Sequence, residues 1–120
     1  MSRDPLLYVE DIRDACRKVR QYLRGITKEQ FLADGMRFDA VVRNLEVIGE
    51  ASGRLPADIR EVVRRQPWPD IIAMRHVLAH GYFAVDPDIV WSVAATKIDA
   101  LEQDVCAYLD SHRDEADGRG

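Results

Sequence analysis

The sequence predicts an all-α protein, an antiparallel bundle of four to five helices. Three long stretches repeat apolar residues at spacings of three and four, which is the spacing of one helix face. The alternation of apolar and polar residues that is typical of strands does not occur in the sequence. Glycine and proline fall between the apolar stretches, where turns between helices are required.

The first long helix is predicted from an apolar face and from a glycine at its C-terminal end. Gly25 follows the last apolar position and is predicted to end the helix. Thr27 and Gln30 then have the spacing of a capping box, which starts a short helix that leads to a turn at Gly35. The apolar face of the first helix comprises Tyr8, Ile12, Ala15 or Cys16, Val19 and Tyr22.

The second long helix is the predicted spine of the bundle. Gly53 is predicted to end it, and Pro56 to start a shorter helix over residues 57–66. In that shorter helix the residues expected to point inward are Ile59, Val62 and Val63. The inner face of the spine helix comprises Phe38, Val41, Leu45, Ile48 and Ser52.

Two proline-containing segments delimit the C-terminal half. The Pro-Trp-Pro sequence at 67–69 interrupts the helical pattern, so the next helix is predicted from Asp70 to a left-handed cap at Gly81. Asp86 followed by Pro87 is a helix start, and it opens the last long helix. The apolar face of that helix comprises Val90, Ala94, Ile98, Leu101, Val105 and Tyr108.

Length and composition indicate one domain. The chain has 120 residues, with 17 Lys plus Arg against 21 Asp plus Glu and a net charge of −4, which excludes a polycation that coats nucleic acid by bulk charge. Residues 1–110 are predicted to form the helical domain and residues 111–120 a flexible acidic and polar tail. Neither a membrane span nor a signal peptide is recognisable, so a cytoplasmic location without membrane contact is expected. Cys16 and Cys106 are predicted to be reduced thiols within helices.

The segment from Arg75 to Tyr82 carries the residues best suited to chemistry. Histidine exchanges protons near neutral pH, and arginine offers fixed donors to a phosphodiester. Arg75 with His80 is therefore a minimal set for metal-free RNA cleavage. On an undistorted helix the two side chains point about 140° apart. They converge if the arginine wraps around the helix, if the helix ends at His80, or if a second subunit completes the site.

Other interpretations of the same residues stay open from the residue types alone. A histidine in a last helical turn commonly caps the helix, and a tyrosine after the glycine is by default a loop aromatic. His76 and His80 also have the spacing of a zinc pair, although a third ligand is not evident nearby in sequence. Trp68 and Trp91 are interpreted as packing anchors.

Charged pairs elsewhere are ambiguous as well. Glu46 and Glu50 form either a paired-carboxylate site or, more simply, ion pairs with Arg43 or with an arginine such as Arg75. Residues 54–65 are locally basic, which indicates either a solvated helix face or one wall of an RNA groove. The arginines in this segment are Arg54, Arg60, Arg64 and Arg65, of which Arg64 and Arg65 are the candidates for substrate binding.

The segment Arg75-His76-x-x-x-His80-Gly81-Tyr82 resembles the Arg, polar residue, x-x-x-His motif of the HEPN superfamily of helical RNA-cleaving and nucleotide-binding domains. Further similarity spans nearly all of residues 5–110 and is typical of the HepT-like branch, the toxin half of bacterial toxin–antitoxin pairs. It comprises residues 38–51 (FDAVVRNLEVIGEA), Trp68 with residues 71–74, Tyr82-Phe83, Asp86 and Val90-Trp91.

The resemblance implies a function and a set of roles. Arg75 and His80 would be the catalytic pair of a metal-independent endoribonuclease that needs no cofactor, and His76 would orient the substrate. Tyr82 would be the tyrosine to which a partner, an MntA-type nucleotidyltransferase antitoxin, transfers AMP. The family forms dimers with the RNA cleft between protomers, so a homodimer or higher oligomer acting on tRNA or mRNA is expected. The alternative is a non-catalytic module of the same fold that binds a nucleotide or a partner protein.

Overall fold

The computed structural model describes the backbone of residues 3–80 and 85–118, and side chains over 3–79 and 85–112. Within those residues the chain is all-α and contains no strand, as predicted. The helices, in chain order, are α1 (Pro5–Leu23), α2 (Lys28–Ala33), α3 (Gly35–Gly53), α4 (Ala57–Val62), α5 (Trp68–His80), α6 (Pro87–Thr96) and α7 (Ile98–Gly118).

The three long helices α1, α3 and α7 form the bundle. Helix α1 packs against both α3 and α7, and α3 also packs against α5. The helix count within the described residues exceeds the predicted four to five, partly because the last long helix is divided at Lys97. The Thr96 hydroxyl donates to the Ser92 carbonyl at 2.5 Å, and such back-bonding bends helices. The predicted face nevertheless stays in register across the break, because Ala94 and Ile98 are both buried.

The core consists of the predicted apolar faces. Burial raises the pKa of the Cys16 thiol, which keeps it protonated inside this core, and Cys106 is likewise a free thiol. Tyr8, Tyr22 and Phe38 lie at the margins and are partly buried. The fully buried members include Val9, Ile12, Ala15, Cys16 and Val19 of α1, Val41, Leu45, Ile48 and Ser52 of α3, and Val90, Ala94, Ile98, Leu101 and Val105 of α6 and α7.

The predicted starts and ends of helices are largely confirmed. Thr27 and Gln30 form the capping box of α2 in both directions, and the Asp86 side chain accepts from the Asp88 amide at the start of α6. Gly25 has φ +73°, the left-handed region that favours glycine. Helix α7 continues to Gly118, so helical backbone extends into the segment predicted as a tail, and the division at residue 110 stays a prediction.

Two predictions around α4 and α5 were wrong in detail. Helix α4 ends at Val62 rather than at residue 66, and Val62 is 70% exposed instead of inward. Only one face of so short a helix reaches the core, and Ile59 occupies it. Helix α5 begins at Trp68, two residues before the predicted start, because a proline in the first turn has no intrahelical bond to lose.

The tryptophans are packing residues, as predicted. Trp68 is buried and its indole Nε1 donates to the Val63 carbonyl at 3.0 Å. The ring of Trp91 lies 5.4 Å from that of Phe31.

Over the described residues, the chain has no helix that is both long and apolar enough to cross a membrane.

Candidate functional site

Helix α5 carries the motif and lies mainly against one neighbour, α3. Its residues are apolar around the whole helix, yet only Trp68 and Leu78 are fully buried among its described side chains. Arg75, His76 and Val77 are exposed, Val77 to 61%. Ile71 and Met74 also pack partly against the core, while the first residues of the motif lie on the exposed side of the helix.

Gly49 allows α5 to approach α3 closely at the position of Arg75. A Cβ atom at residue 49 would lie 2.8 Å from the Arg75 Cβ and 3.1 Å from the Ile71 carbonyl oxygen. The first distance is shorter than real Cβ contacts and the second is tight, and both involve atoms that the backbone holds in place, so a larger residue would require the helices to shift. Sequence reasoning missed Gly49 as a site residue, although a glycine inside an amphipathic helix indicates close backbone approach.

A surface groove of about 340 Å³ lies along this crossing. Its α3 wall is formed in part by the backbone of Gly49, against which α5 packs, and of Gly53. The charged groups in the groove are cationic except for one carboxylate, that of Glu50. The groove is lined by Gly49, Glu50, Gly53, Arg54, Ile72, Arg75 and His76.

The acids of α3 form ion pairs with arginines of the same helix or its end. Glu46 Oε2 lies 3.9 Å from Arg43 Nη1, which confirms the ion-pair interpretation of Glu46. Glu50 Oε1 lies 3.7 Å from Arg54 Nη2, so its partner is Arg54 and not Arg75. Arg75 has no ion pair within the described part of the chain, which leaves its guanidinium available to an anionic ligand.

Arg64 and Arg65 lie before the N-terminal end of α5. They precede its first residue, Trp68, by four and three residues, and Arg75 lies seven residues, about 10 Å, further along the helix. Arg65 donates to the Asp104 carboxylate through Nε at 3.2 Å and Nη2 at 2.7 Å. That bidentate pair occupies the Arg65 guanidinium, whereas Arg64 is exposed. The structure does not bring these two arginines together with Arg75, and their role in substrate binding stays a prediction.

The remaining motif residues lie at the boundary of the described region. Helix α5 includes His80 as its last residue, but the His80 side chain and residues 81–84 are outside the described residues. The predicted cap at Gly81 and the predicted modification site Tyr82 fall in that range. The convergence of His80 with Arg75 therefore stays a prediction.

An all-α bundle with an Arg-x4-His motif on a surface helix defines a HEPN-like domain. The chain belongs to the HepT-like family: the family model described as ribonuclease HepT-like matches residues 12–107.

Curated relatives are similar along almost their whole length. The "Putative RNase" of Caldanaerobacter subterraneus is 36% identical over 111 residues, 92% of this chain and 99% of that protein. The "Probable ribonuclease HepT" of Thermococcus cleftensis is 37% identical over 102 residues, 85% of this chain and 93% of that protein. A "Putative RNase" of Methanocaldococcus jannaschii is 30% identical over 104 residues, 87% and 95% of the two chains. No solved structure matches the chain.

Proposed function

We propose that the protein is a metal-independent endoribonuclease and the toxin of a toxin–antitoxin pair. The observation that carries this is the exposed Arg75, which has no ion pair within the described residues and lines a mostly cationic groove. It lies five residues before His80 on the same helix, in a chain of the HepT-like family. The names of the curated relatives support ribonuclease activity.

In this mechanism RNA supplies its own nucleophile. His80 removes the proton from a ribose 2′-hydroxyl, and the oxygen attacks the neighbouring phosphorus in line with the leaving 5′-oxygen. The bond between phosphorus and the 5′-oxygen breaks, which leaves a 2′,3′-cyclic phosphate and a 5′-hydroxyl protonated by water. Arg75 binds the scissile phosphate and stabilises the negative charge that develops on its oxygens. His76, which is exposed beside Arg75 in the groove, orients the substrate. The step needs neither a metal ion nor a cofactor.

Regulation acts at Tyr82, two residues after His80. An MntA-type nucleotidyltransferase antitoxin transfers AMP from ATP to the tyrosine oxygen, with release of pyrophosphate and of the hydroxyl proton to solvent. The added phosphate occupies the site that RNA phosphate would take. Inhibition then follows from charge and steric exclusion at the site, without any change of fold.

The active form in this proposal is a homodimer with the RNA cleft between protomers. The exposed apolar residues of α5 support it, because a second chain that covers Val77 would bring another α5 beside the first. The second subunit also offers one way for Arg75 and His80 to act at the same phosphate despite their angular separation on the helix.

Cleavage of RNA by His80 variants tests the proposal. We expect the wild type to cleave tRNA or mRNA in the presence of EDTA, and His80→Ala to lose about 10²- to 10⁴-fold in rate, as removal of a general acid–base does. Arg75→Ala should lose about 10²-fold or more, because it removes charge stabilisation from the transition state.

The matched control is His112→Ala, the same substitution on α7. The His112 ring stacks on Tyr108 at 4.0 Å, outside the groove, so its removal should leave the cleavage rate unchanged. Circular dichroism checks that each variant is folded, and His80→Asn provides a polar substitute if His80→Ala is not. Undiminished cleavage by both folded His80 variants would contradict the proposal, as would complete inhibition of the wild type by EDTA.

A further inference from the structure

The groove beside Arg75 borders a second concavity on the opposite side of α3, and Glu50 and Arg54 lie between the two. This second concavity has a volume of about 170 Å³ and is lined by residues of α1 and α3 together with Arg3. Glu50 and Arg54 line both concavities, so the two form one surface path from α5 towards the N-terminal end of α1. We call this path, from His76 and Arg75 past Arg54 to Arg3 and Tyr8, the α3 track.

Cations and one aromatic ring are distributed along the α3 track. Arg75 lies at one end, Arg54 in the middle and Arg3 at the other end. The Arg3 guanidinium covers the Tyr8 ring at 4.9 Å from its centroid, and it is held there by Asp11 at 2.6 Å. Guanidinium groups bind phosphates, and both guanidinium planes and tyrosine rings stack on unpaired bases.

We propose that the α3 track binds single-stranded RNA, with Arg54 on the phosphate next to the scissile phosphate and the Arg3–Tyr8 pair against a base further along. This assignment rests on the proposed function, in which Arg75 holds the scissile phosphate. It gives Arg54, rather than Arg64 or Arg65, the principal role in substrate binding outside the motif.

Arg54 is free enough to take this role. Its side chain is 59% exposed, and its one ion pair among the described residues is with Glu50 at a long 3.7 Å. Exposed pairs of this kind are weak. Arg65 differs, because its bidentate bond to Asp104 would have to be broken before it could hold a phosphate. Arg54 and Arg75 line the same groove, so one RNA strand in that groove can contact both.

Unpaired RNA suits the track better than a duplex. The Arg3–Tyr8 pair presents a stacking surface, and stacking on a side chain requires a base that is not already stacked in a helix. Asp11 is paired with Arg3 at 2.6 Å, so its charge is partly neutralised where the base would lie. Glu50, which both concavities share, keeps its negative charge when Arg54 turns from it to a phosphate.

Binding of a non-cleavable strand tests the role of Arg54. The probe is a single-stranded 2′-O-methyl RNA ten-mer with a fluorophore, measured by anisotropy over a series of salt concentrations. Arg54→Ala should weaken its affinity about tenfold, as expected for one charge-assisted contact. The slope of log affinity against log salt should fall by about 0.7, the value for one phosphate of a single strand. Arg54→Lys should recover part of the affinity because it retains the charge.

Arg43→Ala is the matched control. Arg43 also lies on α3 and is exposed, and it forms a similarly long ion pair, with Glu46 at 3.9 Å, but it lines neither concavity of the track. Its removal should change the affinity less than twofold. Equal losses for Arg43→Ala and Arg54→Ala would overturn the proposal, as would an unchanged affinity for the folded Arg54→Ala variant. The proposal would also be overturned if Arg54→Ala weakened the affinity for a duplex of the same sequence more than the affinity for the single strand.

Cleavage of short substrates separates this inference from the proposed function. A dinucleotide has only the scissile phosphate, so Arg54→Ala should cleave it as the wild type does while its KM for a ten-mer rises about tenfold. An equal rise in KM for both substrates would contradict the assignment of Arg54 to the neighbouring phosphate. Absence of cleavage by the wild type would refute the proposed function, whereas the binding assay would still decide whether Arg54 contacts RNA.

Discussion

Arginines that look alike in the sequence differ in the folded chain by what their guanidinium groups contact. Arg65 is held by two hydrogen bonds to Asp104, and Arg54 forms only a long pair with Glu50. Arg75 has no ion pair within the described residues and lies in a groove. Since an arginine already bound to a carboxylate is not available to a phosphate, the contacts rank these residues as candidate ligands.

Tyr82 is the residue at which the proposed antitoxin acts. After incubation with the cognate nucleotidyltransferase, ATP and Mg²⁺, we expect peptide mass spectrometry to find one added AMP on Tyr82. Modification should abolish RNA cleavage, because the added phosphate competes for the site of the scissile phosphate. Tyr82→Phe should resist the antitoxin.

The other tyrosines are internal controls for this assignment. Tyr8, Tyr22 and Tyr108 are partly buried against the core. AMP found only on these three residues would refute the role of Tyr82. The role would also be refuted if the nucleotidyltransferase attached AMP to the Tyr82→Phe variant and thereby abolished its RNA cleavage.

At the scale of helices, the crossing of α3 and α5 fixes where the motif begins. A glycine inside a helix costs about 1 kcal/mol relative to alanine, so Gly49 is unfavourable for α3 taken alone. The close approach to Arg75 and Ile71 explains its presence, since any larger residue would force the helices apart.

Substitution of Gly49 by alanine tests this crossing. The added methyl would meet the Arg75 Cβ at 2.8 Å, and such overpacking costs roughly 1–3 kcal/mol. After the gain in helix propensity of about 1 kcal/mol, we expect the free energy of unfolding to fall by up to about 2 kcal/mol in urea denaturation. RNA cleavage should fall too, because Arg75 is displaced.

Gly53→Ala is the control for stability. At that position an added Cβ would meet only the Ile72 Cγ2, at the ordinary contact distance of 3.7 Å. Its free energy of unfolding should be unchanged or slightly higher. If Gly49→Ala were as stable as Gly53→Ala, the crossing would not depend on glycine.

At the scale of the whole molecule, the net charge and the small size of the chain both influence how it can bind RNA. A net charge of −4 opposes non-specific binding to nucleic acid, so attraction depends on local cations such as Arg54 and Arg75. In this chain of 13.7 kDa, the concavities beside Arg75 and Arg3 are small, about 340 and 170 Å³. A dimer would join two such grooves into a longer cleft.

Sedimentation of a Val77 variant tests the dimer. The wild type should sediment with about twice the mass of 13.7 kDa. Val77→Lys should sediment as a monomer and lose cleavage, because it places a charge at a residue that is 61% exposed on α5 and would be desolvated in the interface.

Met36→Lys is the control for added charge. Met36 is 86% exposed and lies about 20 Å along α3 from Gly49, so the dimer mass should persist. A monomeric wild type would contradict the homodimer, and a dimeric Val77→Lys would show that α5 does not form its interface.

Local sequence patterns predicted most of the helices, their buried faces, most of their ends and the family. These properties depend on neighbours within about one turn, as in the capping box of Thr27 and Gln30, or on a motif contained in one helix. Local patterns failed at Val62, where they could not show that so short a helix reaches the core with one face only.

Only the tertiary structure decided which cations are available and where the groove lies. Arg65 is occupied by Asp104, 39 residues away in the sequence, and Gly49 is adjacent to Arg75 on another helix. No periodicity specifies such contacts, because they depend on which faces of separate helices meet and how closely their backbones approach.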